Sequence, residues 1–242
     1  MGISSPVALV TGAAKRIGAA IATRLHQSGF TVMIHYHHSE EAAIHLAEQF
    51  NDERANSACT VRADLRDHST VQNIIHATVS RFGQLNVLVN NASIFSRDDA
   101  DWLDMFACNV QAPYGLSRAA FSHLSQTTGS IINITDIHAN MPLRDYAVYC
   151  QSKAALAMQT RALALEFAPK VRVNAIAPGA IAWPEGDNHL STEIQAHILA
   201  KTLLQRHGDP HYIAQAVMYL VSNDFVTGQT LQVDGGRYLN GI

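Results

Sequence analysis

Tyr149 and Lys153 stand four residues apart, at the start of an Ala-rich stretch that runs through Ala154, Ala155, Leu156 and Ala157. On a helix that spacing puts both side chains on one face. An ammonium beside a phenol favours the phenolate and draws the tyrosine pKa toward working pH, which makes Tyr149 a credible proton donor. The competing reading is a chance Tyr-x-x-x-Lys. Against it stands the pair's position beyond a fifth apolar run and Asp136.

A second group of residues suits a phosphate. Val7 to Val10 is a short apolar run ending in Thr11-Gly12-Ala13-Ala14-Lys15-Arg16-Ile17-Gly18, after which Ile17, Ile21 and Leu25 recur at helical spacing until Ser28-Gly29. A Gly-rich turn between strand and helix lets phosphates approach the backbone at the positive end of the helix. Gly12, Lys15, Arg16, Ile17 and Gly18 are therefore candidate dinucleotide contacts. Arg16 stands where a middle glycine would allow the closest approach, so the pattern is not G-x-G-x-x-G. An ordinary βα turn with Gly18 packing helix on strand is the alternative; a place at the head of a βαβ unit favours the dinucleotide.

A site for NAD usually carries Asp or Glu at the end of the second strand, about 20 residues on. Here the chain reads His35-Tyr36-His37-His38-Ser39, with no carboxylate before Glu40. Lys15, Arg16, the histidines and the Ser39 hydroxyl are suited to surround an extra phosphate, so NADPH/NADP+ is preferred over NADH. Lys153 would hold the nicotinamide ribose. His35 and His37 share a strand face, which also admits a metal; without a companion carboxylate or cysteine nearby, no metal site is expected.

These residues need a scaffold. Phe30 to His35 reads as a second strand and Glu40 to about Phe50 as a helix, so the first fifty residues form one βαβα unit. Further strand candidates are Ala58 to Val61, Leu85 to Val89, Ser130 to Ile134, Val171 to Ile176 and Thr230 to Val233. Seven near-continuous apolar strands alternating with helices predict an α/β fold: a doubly wound parallel seven-stranded sheet with helices on both faces. No repeat or linker divides the chain, so residues 1–242 are expected to form a single domain. Pro178 to Asn188 carries two Pro and two Gly after a strand near the ligand edge, and marks a candidate substrate loop over about 179–205.

Composition excludes other classes. Seventeen basic against twenty acidic residues leave a net charge of -3, without the positive field that nucleic acid or an anionic membrane requires. No apolar run reaches the roughly 18 residues of a spanning helix, and Met1 to Val10 lacks the features of a signal peptide. Cys59, Cys108 and Cys150 suggest neither disulfides nor metal ligation, and a reducing cytoplasm fits.

Taken together, Thr11-Gly12-x-x-x-Arg16-x-Gly18, Asn90-Asn91-Ala92-Ser93, Asn109, Tyr149-x-x-x-Lys153, Pro178-Gly179, and Thr227-Gly228-Gln229 to Val233-Asp234-Gly235-Gly236 resemble a short-chain dehydrogenase/reductase across essentially the whole chain. The resemblance implies a Rossmann-type fold, with the Asn90-Asn91-Ala92 segment supporting sheet and cofactor, and Asn109 helping a proton-relay water. Asp64, followed by Leu65, resembles the family's adenine contact, although a helix N-terminal acid would read the same way. Pro178 and Gly179 fall at the cofactor. The family commonly forms homotetramers through long helices, here Trp102 to Ser125 and Ala147 to Phe167.

The chain departs from the general pattern thirteen residues before Tyr149, where most members have a serine that polarises a carbonyl and this chain has Thr135-Asp136-Ile137. A carboxylate repels a developing oxyanion but can pass a proton to a ring nitrogen. Alternatively Thr135 replaces the serine and Asp136 only caps a turn. Lys15-Arg16, His35-Tyr36-His37, Ser93, Phe95 and Asp136 resemble the pteridine reductase subgroup, which implies a pterin substrate. In that subgroup an aromatic at the Phe95 position stacks the pterin against the nicotinamide, and residues matching Arg16 and Ser93 contact pterin and cofactor phosphates. Phe95 equally suits a core. His38 differs from the arginine of better-known members. Trp183 either lines the pocket mouth or anchors its loop. A reductase of simple ketones or acyl-carrier thioesters, and an NADPH-sensing regulator without turnover, are the alternatives.

Overall fold

The computed structural model describes residues 5–183 and 189–240. In chain order the elements are β1 (Val7–Val10), α1 (Arg16–Gln27), β2 (Thr31–Tyr36), α2 (Glu40–Glu53), β3 (Ala58–Arg62), α3 (Thr70–Phe82) and β4 (Val87–Asn90). There follow α4 (Trp102–Phe106), α5 (Ala112–Gln126), β5 (Ser130–Ile134), α6 (Ala147–Phe167), β6 (Arg172–Pro178), α7 (Thr192–Ala200), α8 (Pro210–Ser222), β7 (Thr230–Val233) and α9 (Arg237–Asn240).

The central strands β1, β2, β4 and β5 are buried along their whole length because helices cover both faces of the sheet there, whereas the edge strand β7 is largely exposed. Alternate residues of β1 enter different cores. Ala8 and Val10 pack with Ile21 of α1, Phe50 of α2 and Val217 of α8, whereas Val7 and Leu9 pack with Ile74 of α3, Leu116 of α5 and Leu163 of α6. All seven strands pair in parallel, in the order β3-β2-β1-β4-β5-β6-β7. The order reverses between β1 and β4, and the crevice beyond the carboxyl ends of those strands is where a ligand can enter.

The stretch expected as one helix, Trp102 to Ser125, is interrupted by a π-helical turn over Ala107–Gln111. Pro113 follows it in the first turn of α5. Proline lacks the N–H that would close the α-helical bond to the Asn109 carbonyl, so the ladder is broken there. The segment expected as the substrate loop contains α7, and its residues 184–188 lie outside the described residues. No helix among the described residues is long and apolar enough to cross a membrane.

Candidate active site

The turn after β1 is held from three sides. Asn91 Nδ2 donates to the carbonyls of Thr11 at 2.9 Å and Gly12 at 3.1 Å, and Thr11 Oγ1 accepts the N–H groups of Asn91 and Ala92 at 2.9 and 3.0 Å. Beneath it, His35 Nδ1 accepts the Gly12 N–H at 3.1 Å while Nε2 lies 3.2 Å from the Ala63 carbonyl. A donor facing one ring nitrogen and an acceptor facing the other select the neutral Nε2–H tautomer, and burial holds the His35 pKa down at about 4. His35 was expected to touch the cofactor. Its ring is enclosed because β2 is covered on both faces, and it supports the turn from below.

A Cβ on Gly18 would lie 2.1 Å from the Gly12 carbonyl oxygen, so only glycine fits. Arg16 adopts φ +55°, the left-handed conformation that favours glycine. Its Nη2 donates to the carbonyls of Ala182 at 3.1 Å and Trp183 at 2.7 Å, tying the turn to the segment after β6. The N-cap of α1, Lys15, makes no side-chain capping bond, and the first turn of the helix carries no acidic residue. Free N–H groups without a competing carboxylate fit the diphosphate of a dinucleotide.

Beyond β2 and β3, the His37 and His38 rings lie 3.6 Å apart and His37 Nε2 is 3.7 Å from Asp64. Arg66 bonds Asp64 at 2.7 Å and Asp104 at 2.6 Å. Hydrogen bonds from Arg66 are the main reason the Asp64 pKa falls to about 2. Ser39 is the N-cap of α2 and makes no side-chain capping bond. Tyr36 and Leu65, both expected at the cofactor, have buried side chains, and Tyr36 Oη donates to Glu40 at 2.9 Å. The core takes these side chains, leaving only main chain at the crevice edge.

The proton-handling groups converge where β5 ends against α6. Tyr149 Oη donates to Asp136 Oδ2 at 2.8 Å, and Asp136 Oδ1 accepts the His138 N–H at 2.9 Å. Asp136 therefore caps the 3-10 turn Ile137–Ala139 and holds the phenol as well. Thr135 is buried and donates to the Ile176 carbonyl at 2.8 Å, so it does not stand in for the serine. Lys153 Nζ donates to the Ile134 carbonyl at 3.0 Å and lies 5.7 Å from the Tyr149 ring centroid. Burial lowers the lysine pKa to about 8, with Asp136 opposing the shift. The phenol was expected to be drawn down by Lys153. Burial first, and then the Asp136 charge, instead hold Tyr149 well above the ordinary tyrosine value.

Asn109 sits on the π-helical turn. Its Oδ1 accepts the Ile94 N–H at 2.8 Å, and its Nδ2 donates to the Ile94 carbonyl at 2.9 Å and Ser152 Oγ at 3.0 Å. The side chain thus pins the segment after β4 to α6. On that segment Phe95 stacks on Tyr146 at 4.4 Å and meets Tyr149 edge-on at 4.7 Å. Phe95 is half-buried beside the phenol, while Ser93 is exposed. The Trp183 ring packs on His207 at 4.4 Å, an anchoring contact. Pro178 ends β6. Gly179 lets the chain pass Asp234, whose Cβ would be 2.6 Å from an added Cβ.

Thr11, Ser152 and Tyr146 support this site but were not among the expected site residues. Thr11 was legible as the last residue before the turn; the partners of Ser152 and Tyr146 are remote in sequence. Among the described residues, no group of three or more His, Cys, Asp or Glu is placed to hold a metal ion.

Comparison with known proteins bears on the chemistry. The family model described as Enoyl-(Acyl carrier protein) reductase matches residues 12–237. Pteridine reductase 1 of Leishmania tarentolae is 34% identical, with 98% of this chain and 97% of the relative covered. A 3-oxoacyl-(acyl-carrier-protein) reductase of Staphylococcus aureus is also 34% identical, over 96% of this chain and 98% of the relative. Glucose 1-dehydrogenase 2 of Bacillus subtilis is 33% identical, over 98% and 96% respectively.

Proposed function

Because the chain belongs to the short-chain dehydrogenase/reductase family, an oxidoreductase family that uses nicotinamide cofactors, we propose that its crevice binds NADPH and reduces a pterin. The observation that carries this reading is the 2.8 Å bond from the Tyr149 hydroxyl to the Asp136 carboxylate. A fixed negative charge there disfavours an oxyanion and favours a nitrogen that gains a proton.

Gly12, Lys15, Arg16, Ile17 and Gly18 hold the diphosphate of NADPH. His37, His38 and Ser39 face the 2′-phosphate, with Asp64 and the main chain of Leu65 beside the adenine. Asn91, Ala92, Ser93, Lys153, Pro178 and Gly179 hold the nicotinamide half. When bound, NADPH supplies hydride to a ring carbon of the pterin. Tyr149 gives its hydroxyl proton to the adjacent nitrogen, and the buried Lys153 ammonium stabilises the phenolate left behind. Asp136 fixes the phenol and attracts the protonated nitrogen, while the Phe95 ring supports the flat heterocycle beside the phenol. The Asn109 carbonyl, freed by Pro113, is an acceptor for a relay water.

Reduction of a 3-oxoacyl thioester or ketone is the second reading, favoured by equal 34% identity to the Staphylococcus aureus reductase. NADPH oxidation measured across dihydrobiopterin, dihydromonapterin, dihydrofolate, simple ketones and a 3-oxoacyl thioester separates the two, with Tyr149→Phe as control. The pterin reading expects the highest kcat/KM with a dihydropterin; preference for a carbonyl overturns it. Asp136→Ser should raise carbonyl turnover, and unimpaired pterin turnover in that variant rejects the role given to the carboxylate.

A homotetramer completes the proposal. Leu103 of α4, Tyr114 of α5, and Met158 and Leu165 of α6 are exposed apolar side chains on the helices expected to associate. Sedimentation of the purified protein tests it; a monomer at micromolar concentration would sink it.

A further inference from the structure

Arg237 opens α9, directly after the turn Asp234-Gly235-Gly236. The nearest acidic neighbour in sequence is already engaged, since Asp234 Oδ1 accepts the Gly236 N–H at 2.9 Å and Oδ2 accepts the Tyr238 N–H at 2.8 Å. Next in the chain, Tyr238 packs against Ile137, Met141 and Ala177. Ile137 is the residue after Asp136, so α9 docks on the same strand-end region that carries the proton-handling carboxylate. Asp136 in turn has its oxygens on the His138 N–H and the Tyr149 hydroxyl.

The Arg237 guanidinium is thus half-buried, and among the described residues it makes neither a hydrogen bond nor an ion pair. Burial lowers its pKa, while Asp136 and Asp234 act on it only through their charge. A partly desolvated cation without a partner is unfavourable in the protein alone. Guanidinium presents a planar fork of donors matched to carboxylate and phosphate oxygens. Arg66 is occupied by Asp64 and Asp104, and Arg16 by two carbonyls, whereas Arg237, on the helix that docks next to Asp136 through Tyr238, is a half-buried cation open to a ligand.

We infer that Arg237 is a specificity-determining residue that binds an oxyanion, carboxylate or phosphate, carried by the substrate within a few bonds of the reacting carbon. This deepens, and rests on, the reading of the crevice as a reductase site.

The test uses matched pairs of substrates that differ in charge. Dihydroneopterin and its 3′-phosphate form one pair; butan-2-one and 3-oxobutyrate, a carboxylate, form the other. Steady-state KM and kcat are measured for wild type, Arg237→Met and Arg237→Lys, together with equilibrium Kd for the same compounds from tryptophan quenching in the presence of NADP+. In the pair that is turned over, wild type should prefer the anionic member. Arg237→Met should raise its KM and Kd by about 10–100-fold, with kcat within about twofold and the neutral member within about twofold. Arg237→Lys, which keeps the charge and loses the fork, should recover part of the loss. An unchanged ratio of anionic to neutral KM in Arg237→Met overturns the inference, as does a wild type indifferent to the charge. Failure of the pterin reading registers separately, as absence of turnover for both pterins.

Discussion

Asp136 and Tyr149 are joined by a 2.8 Å hydrogen bond in which the phenol donates, and the other carboxylate oxygen caps the following turn at 2.9 Å. One side chain therefore sets both the local backbone and the position of the proton donor. Asp136→Asn keeps one acceptor oxygen for the His138 N–H, turns an amide N–H donor toward the phenol oxygen, and removes the charge. Its pterin turnover should fall by about 10²-fold with little change in the unfolding midpoint. Asp136→Ala should lose a further ~1 kcal/mol of stability with the cap. Steady-state rates and urea titrations on both variants check this, and equal stability loss in the two would refute it.

Removal of the Tyr149 hydroxyl separates binding from chemistry. Tyr149→Phe leaves Phe95 and Lys153 in place and should lower kcat by about 10²–10⁴-fold, with the Kd for NADPH within about threefold. Fluorescence titration alongside single-turnover rates reads both quantities. A large loss of cofactor affinity would assign the tyrosine a different task.

Lys153 yields opposite pH trends for activity and stability. Its folded pKa is lowered to about 8, below the unfolded value of 10.5. Above about pH 8 the ammonium loses its proton, so kcat/KM should decline with an apparent pKa near 8. Over the window from about 8 to 10.5 the unfolded chain binds more protons at this residue, so its contribution to stability rises with pH. Lys153→Met should abolish both trends. Persistence of the stability slope in Lys153→Met would assign it to another group.

His35 should act at the acid end. Its folded pKa of about 4 lies below the ordinary histidine value of 6.5, so its stabilisation is complete above about pH 6.5 and is lost as pH falls toward 4. The full span is worth about 3 kcal/mol by order of magnitude. Denaturation of wild type and His35→Phe at pH 4.5 and 7 checks it. The variant should be less stable at pH 7, because the Gly12 N–H and Ala63 carbonyl lose their partner, and should show a flatter acid slope.

Gly18→Ala tests the turn itself. The new methyl would sit 2.1 Å from the Gly12 carbonyl oxygen and 2.6 Å from Asn91 Nδ2, so backbone must move. NADPH affinity should drop by tenfold or more and the melting temperature with it. A variant with wild-type Kd would mean that the diphosphate does not lie on this turn.

Three strands, β1, β5 and β7, begin and end where the sequence pattern predicts, and α6 spans the predicted Ala147–Phe167. Apolar runs bounded by turn residues mark such elements without any knowledge of their neighbours. The expected strand Leu85 to Val89 is instead Val87–Asn90, because Asn86 bonds Val7 in the adjoining strand edge. Pro113 was a visible sign of the broken helix over Ala107–Gln111, but the turn type follows from Asn109 gripping Ile94 and Ser152.

Local pattern, spacing and residue type were enough to establish the parallel doubly wound sheet, the glycine turn, and the helix face shared by Tyr149 and Lys153, because each depends on residues within a few positions. Tertiary packing decided what each polar group meets: that His35 lies under the turn, that Asp136 and not Thr135 reaches the phenol, that Arg16 ties down Ala182 and Trp183, and that among the described residues the Arg237 guanidinium has neither a hydrogen bond nor an ion pair. Side-chain hydrogen bonds join residues as far as 167 positions apart, and the energies that set protonation and binding depend on those distant contacts.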